Sequence, residues 1–312
     1  MSRSCMLKIL SLLACWSLGT ALLPAAEAFR FQENDLVLFL GDTWVEREQR
    51  DGHIETALLM SGGIANLRFR NLGWSGDTVE CEARGYFNGA KEGFERLTAA
   101  LSELQPSVVF LGYGGSAAFG GPEGIPAFRQ GYERLLDRIG TAASPREIVL
   151  ISPPPAENPG APLPDLTAHN RNLALYRDVI RDLAAARKAR FLDLFAALGA
   201  GEKRDRPLTD NGIHYTPDGY ALMASKIVGG LGLAAVEPRP MHGDRLRETI
   251  NAKNRLYFHQ WRPANETYLH LFRKHEQGNN AAELPLFEPL VKAKEMEIEV
   301  LRQVAQPKQI AQ

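Results

Sequence analysis

The 312-residue chain predicts a three-layer α/β/α sandwich around a parallel central sheet. Two observations predict it. Short apolar runs at 36–40, 108–111 and 148–151 lack alternation, the pattern of strands buried on both faces. Longer segments with helical spacing lie between them, and strands that alternate with helices pair in parallel with helices on both faces.

The elements follow in order. The first apolar run, 36–40, ends in Gly41, and residues 46–60 read as one helix. Residues 67–71 alternate and lead into a Gly-rich loop. Residues 94–104 place Leu97, Leu101 and Leu104 on one helical face, and Pro106 stops them. A strand at 108–111, a helix at 125–139 and a strand at 148–151 come next. Pro153-Pro154-Pro155 then opens a loop reaching Pro164. A long helix at 168–187, a strand at 190–194 and a helix at 217–228 close the domain, expected to span 29–235.

The first residues are expected to lie outside this fold. Arg3 and Lys8 precede an apolar stretch at 9–23, and Ala26-Glu27-Ala28 supplies the small residues of a cleavage site. Residues 1–28 therefore read as a signal peptide, with Phe29 starting an exported chain, secreted or periplasmic. The stretch is too short for a membrane span. Leu12-Leu13-Ala14-Cys15 has the look of a lipoprotein box, but only six apolar-side residues separate Lys8 from Cys15. Removal of Cys5 and Cys15 leaves Cys81 alone, expected as a small buried residue with no disulfide partner.

A hydrophobic content of 45% suits a buried core, and a formal charge of −1 gives no reason to expect nucleic acid as partner. Composition changes after Leu233. Pro238 and Pro240 punctuate a linker into a C-terminal extension, 236–312, rich in charge and aromatics. A helix there should end near Trp261, before Arg262-Pro263, and another can begin at Glu266. Tyr257, Phe258, Trp261, Tyr268 and Phe272 are too many rings for a free linker, so they are expected against the main domain or a protein partner. Residues 274–280 should stay near the surface, 291–304 should form a solvated helix, and the chain should fray beyond Gln303.

Four short segments carry the chemistry: Gly41-Asp42-Thr43, Asn71 to Thr78, Gly112 to Ser116, and Asp210 to His214. Each adjoins an apolar run, so each can sit at a strand's carboxyl end, where crevices form in open α/β sheets. His214 lies in a Gly-bearing loop before a helix, with Asp210 four residues earlier. A carboxylate that holds one imidazole nitrogen lets the other act as general base. Thr43 can offer a hydroxyl to His214, and Gly76 an unhindered backbone N–H to an oxyanion. Glu46 and Arg47 read as a solvated helix start. Trp74 reads equally as core or as a sugar-stacking ring, and Tyr113 and Phe119 read as core.

On these residues the chain resembles the SGNH hydrolase family, the GDSL-type esterases and lipases, over residues 35–232. Among its members it is similar to exported ones from planctomycete-type bacteria that carry a comparable tail. The resemblance implies a flavodoxin-like sandwich that hydrolyses carboxylic esters, including acetyl groups on sugars, without a metal or other cofactor. Gly41-Asp42-Thr43 matches the first block and places Thr43 where the nucleophilic Ser stands. Ser75-Gly76-Asp77-Thr78 matches the second in full, with Gly76 as the oxyanion glycine. Gly114-Gly115-Ser116-Ala117 corresponds to the third, with Ser116 at the oxyanion Asn position. The last block gives His214, with Asn211 three residues earlier and Asp210 one step farther.

The expected function is hydrolysis of a small-molecule or carbohydrate ester, with Thr43 as nucleophile, His214 as base, Asp210 orienting it, and Gly76 and Ser116 as the oxyanion hole. The alternatives are a pseudo-hydrolase that binds glycan or a protein partner in the same crevice, and an assembly protein that works through its tail.

Overall fold

The apolar runs pair as expected. The computed structural model describes residues 28–202 and 204–307; the expected signal segment up to residue 27, with Cys5 and Cys15, lies outside the described residues. Five strands, β1 (Leu36–Gly41), β2 (Arg68–Asn71), β3 (Val108–Gly112), β4 (Glu147–Ile151) and β5 (Arg190–Leu192), form one parallel sheet in the order β2-β1-β3-β4-β5. Strand side chains alternate between two cores. Val37, Phe39, Phe110, Val149 and Ile151 point into one, and Leu38, Leu40, Val109, Leu111 and Leu150 into the other. Burial on both sides explains why the strands read as unbroken apolar runs.

Eleven α-helices are present among the described residues: α1 (Thr43–Asp51), α2 (His53–Gly62), α3 (Gly89–Leu104), α4 (Ile125–Ala142), α5 (Thr167–Arg187), α6 (Leu194–Ala197), α7 (Pro217–Gly230), α8 (Pro240–Trp261), α9 (Glu266–Leu269), α10 (Lys274–Gln277) and α11 (Phe287–Ala305). Residues of α3, α4 and α5 cover one sheet face, and residues of α2, α7, α8 and α11 share the core of the other.

Three expectations change. The segment 46–60 is two helices, because Gly52 takes φ 66° between α1 and α2. The strand expected at 190–194 ends at Leu192, since the Asp193 side chain accepts from Ala196 N–H and caps α6. The helix read as solvated, α11, buries Val291, Ile298, Leu301 and Ala305, so the chain is still packed at Ala305 where fraying was expected. Cys81 is fully buried and its thiol is pushed up to about 12 by desolvation, the state of a packing residue.

The extension packs on the domain. Lys253 on α8 is buried against Glu55 of α2 and also donates to the Phe69 carbonyl at 3.2 Å, while Asn254 donates to Glu55 at 3.1 Å. Arg70 of β2 pairs with Glu295 of α11. The tail's rings divide: Tyr257 is buried, whereas Phe272 is 69% exposed and meets exposed Phe87 edge-on. No described helix is long and apolar enough to cross a membrane.

Candidate active site

The order of the sheet reverses between β1 and β3, and the polar segments that follow those strands meet above that point. Gly41 and Gly112 sit side by side in the register. A Cβ on Gly41 would lie 2.4 Å from the Gly112 carbonyl oxygen, so glycine there is what lets the two strand ends converge. Asp42 follows β1 at the N-cap position of α1, and Thr43 opens that helix.

Thr43 and Gly76 come together as the sequence suggested. The Gly76 N–H donates to Thr43 Oγ1 at 3.0 Å. Gly76 has φ 77°, the left-handed conformation that turns its amide toward the hydroxyl. The loop that carries it is bonded onto α1 and β1. Asn71 Nδ2 donates to the Val45 carbonyl at 2.7 Å, Gly73 N–H to Asn71 Oδ1 at 2.7 Å, and Trp74 N–H to the Gly41 carbonyl at 3.0 Å.

Asp42 binds the third segment. Its buried carboxylate accepts from the Gly115 N–H at 2.9 Å and the Ser116 N–H at 3.3 Å. Desolvation pushes its pKa up to about 7, against those hydrogen bonds. The Ser116 amide is thereby engaged, which leaves its hydroxyl as the donor it can present.

His214 lines the same pocket as Thr43 and Ser116, a cavity of about 80 Å³. Burial holds its pKa below the ordinary 6.5, the Arg47 charge adds to this and Asp210 opposes it, so the ring is neutral at pH 7. Asp210 does not orient it. That side chain is exposed, and Asn211 Nδ2 reaches His214 Nδ1 at 3.1 Å instead. The turn decides this. The Asp210 N–H pairs with the His214 carbonyl at 2.8 Å, and Asn211 Oδ1 accepts from the N–H groups of Ile213 (3.3 Å) and His214 (3.0 Å), which folds the Asn211 side chain back under the ring.

Other corrections concern residues read as bland. Glu46 is buried, accepts from the Ser75 N–H at 2.5 Å and pairs with Arg262. Phe119 is not core: it is 63% exposed at the pocket rim and stacks on His169 at 3.9 Å. Trp74 and Tyr113 are buried. His169 on α5 lines the pocket with Nδ1 buried and unpartnered, and Trp44 Nε1 is in the same condition. His169 carried no signal in the sequence, because only the path of α5 brings it here. Pro154, Pro155, Ala156, Leu173 and Ile213 give the pocket apolar walls.

A family model for the GDSL-like lipase/acylhydrolase family matches residues 41–222, more than half of the chain, and the chain belongs to that family of ester hydrolases. No curated protein matches it in sequence. Among solved structures it is similar to a catalytic mutant of an acetylxylan esterase from Geobacillus stearothermophilus. That match has a TM-score of 0.52 and 18% identity, and covers 68% of this chain and 100% of the other. It is also similar to a gut microbial diltiazem-metabolizing enzyme, with a TM-score of 0.62 and 13% identity over 91% of this chain and 98% of the other. At these identities the likeness is one of fold.

Proposed function

We propose that this chain is an exported hydrolase of small carboxylic esters, acyl groups on carbohydrate among them, with Thr43 as its nucleophile. The observation that carries this reading is the Thr43 hydroxyl 3.0 Å from the Gly76 amide, in a pocket that His214 also lines. His214 Nε2 takes the hydroxyl proton as Oγ1 attacks the carbonyl carbon. The developing oxyanion receives the Gly76 N–H and the Ser116 hydroxyl, and the imidazolium returns its proton to the leaving alcohol. Water then attacks the acyl-threonine by the same steps and frees the acid. A cavity of about 80 Å³ with apolar walls suits a short acyl chain. Export rests on the signal-like residues 1–28.

One observation favours a second reading, in which the crevice binds its ligand without turnover. Asn211 Oδ1 is occupied by two backbone amides, so its Nδ2 faces His214 Nδ1, which must accept. The ring proton then sits on Nε2, where a base needs a lone pair. In a Ser-His-Asp triad the same carboxylate-to-amide exchange lowers kcat by roughly 10⁴, through the wrong tautomer.

Hydrolysis of 4-nitrophenyl acetate separates the two readings. Thr43→Ser, which removes a crowding methyl, should raise kcat about tenfold or more, and His214→Ala should abolish turnover. Absence of hydrolysis in both the native protein and Thr43→Ser would leave the binding reading.

A further inference from the structure

We infer that Arg262, in the C-terminal extension, is a positioning residue that holds the oxyanion loop in place. The inference rests on the ester-hydrolase reading for its catalytic consequence, but the contact itself stands on geometry. Arg262 follows α8, more than two hundred residues after Thr43 in sequence. Its Nη1 donates to Glu46 Oε2 at 3.0 Å, and the same oxygen accepts the Ser75 N–H at 2.5 Å. Its guanidinium carbon lies 3.6 Å from the centroid of the Trp74 ring, stacking range for a planar cation. One side chain of the tail therefore touches both supports of the segment Trp74-Ser75-Gly76, whose last amide faces the Thr43 hydroxyl.

Glu46 explains why a cation is required there. It is buried, one turn along α1 from Thr43, and a buried carboxylate needs a partner. Without Arg262 its charge would be left with backbone donors, and the bridge from Glu46 on the nucleophile's helix to the Trp74 ring of the oxyanion loop would be gone, leaving the loop to its backbone hydrogen bonds and the Asn71 amide. The tail is itself fixed around Arg262. Its N–H donates to the Phe258 carbonyl at 2.9 Å, Trp261 meets Trp74 edge-on at 5.7 Å, and Glu266 pairs with Arg96 and accepts from the Tyr86 hydroxyl. Pro263 behind it is buried. Lysine could supply the charge but not the flat stack on Trp74.

The test uses the full chain and two readouts. In Arg262→Met, backbone amide exchange measured by mass spectrometry over residues 73–78 should rise at least about tenfold, with β3 and β4 unchanged. With 4-nitrophenyl acetate, kcat should fall roughly ten- to a hundredfold while KM stays within about twofold, because the lost alignment matters in the transition state. Arg262→Lys should fall between native and Arg262→Met in both. Native-like exchange at 73–78 in Arg262→Met, or a loss confined to KM, would overturn the inference. Should Arg262→Met fail to fold, native-like exchange in both Arg262→Lys and Glu46→Gln would overturn it equally. An inactive native protein with an inactive Thr43→Ser variant would instead sink the ester-hydrolase reading, and the exchange measurement would still decide the role of Arg262.

Discussion

Asn211 holds its side-chain amide against the His214 ring. It occupies the place beside His214 Nδ1 that a carboxylate would need for the imidazole to act as base. Asn211→Asp should therefore raise kcat on 4-nitrophenyl acetate by at least about tenfold. In the native protein the rising limb of kcat/KM should have its midpoint below 6.5, because burial lowers the His214 pKa and the neutral ring is the active form. The new carboxylate should move that limb to higher pH, which a pH–rate profile would read. Asp42 provides a second test. Its folded pKa of about 7 lies above the ordinary 3.8, so the folded state holds the extra proton between those values and stability falls as pH rises through the window. Asn can keep accepting from Gly115 and Ser116 without ionising. Urea midpoints should thus show Asp42→Asn gaining on the native protein from pH 4 to pH 8. The sequence singled out Thr43, Ser116 and His214, which line one pocket, and Gly76, which lies beside Thr43, but it assigned the orienting role one residue too early. Acidity pointed to Asp210, whereas the direction of a side chain in a turn depends on hydrogen bonds that no spacing reveals.

Elements defined by local pattern were legible, and their limits were not. The parallel strands announced themselves because burial on both faces leaves a continuous apolar run. The break comes from the left-handed φ of Gly52, and α8 leaves no room there for a side chain, since a Cβ would lie 2.2 Å from Asn251 Oδ1. Similarly, α11 looked solvated because its exposed face is rich in Glu and Lys, while its apolar stripe finds a core only where α8 lies beside it. The junction of α8 with α2 is open to test through the buried Lys253–Glu55 pair. Lys253→Met should destabilise the protein by roughly 3–5 kcal/mol in urea unfolding, because it strands Glu55 without a cation. Lys253→Met with Glu55→Leu should recover most of that loss. An unchanged midpoint in the single variant would mean that Glu55 finds another partner.

Taken together, the sheet and its extension share cores, since Leu246, Ile250, Ile298 and Leu301 belong to the same cluster as Val37 and Phe110. Deleting residues 240–312 should lower thermal stability and leave apolar surface open to solvent, measurable as a reduced melting temperature and binding of a hydrophobic dye. A truncated protein that melts with the full chain would contradict this. The position of β2 makes a sharper point. Among the described residues it is an outermost strand that pairs only with β1, and such strands can recruit a foreign strand along their free margin. Here Lys253 and Arg70 both occupy the Phe69 carbonyl, with Glu295 closing over Arg70. The extension thus covers a carbonyl on the margin where a foreign strand would add. Loss of the tail should make self-association grow with protein concentration, with parallel growth of thioflavin fluorescence.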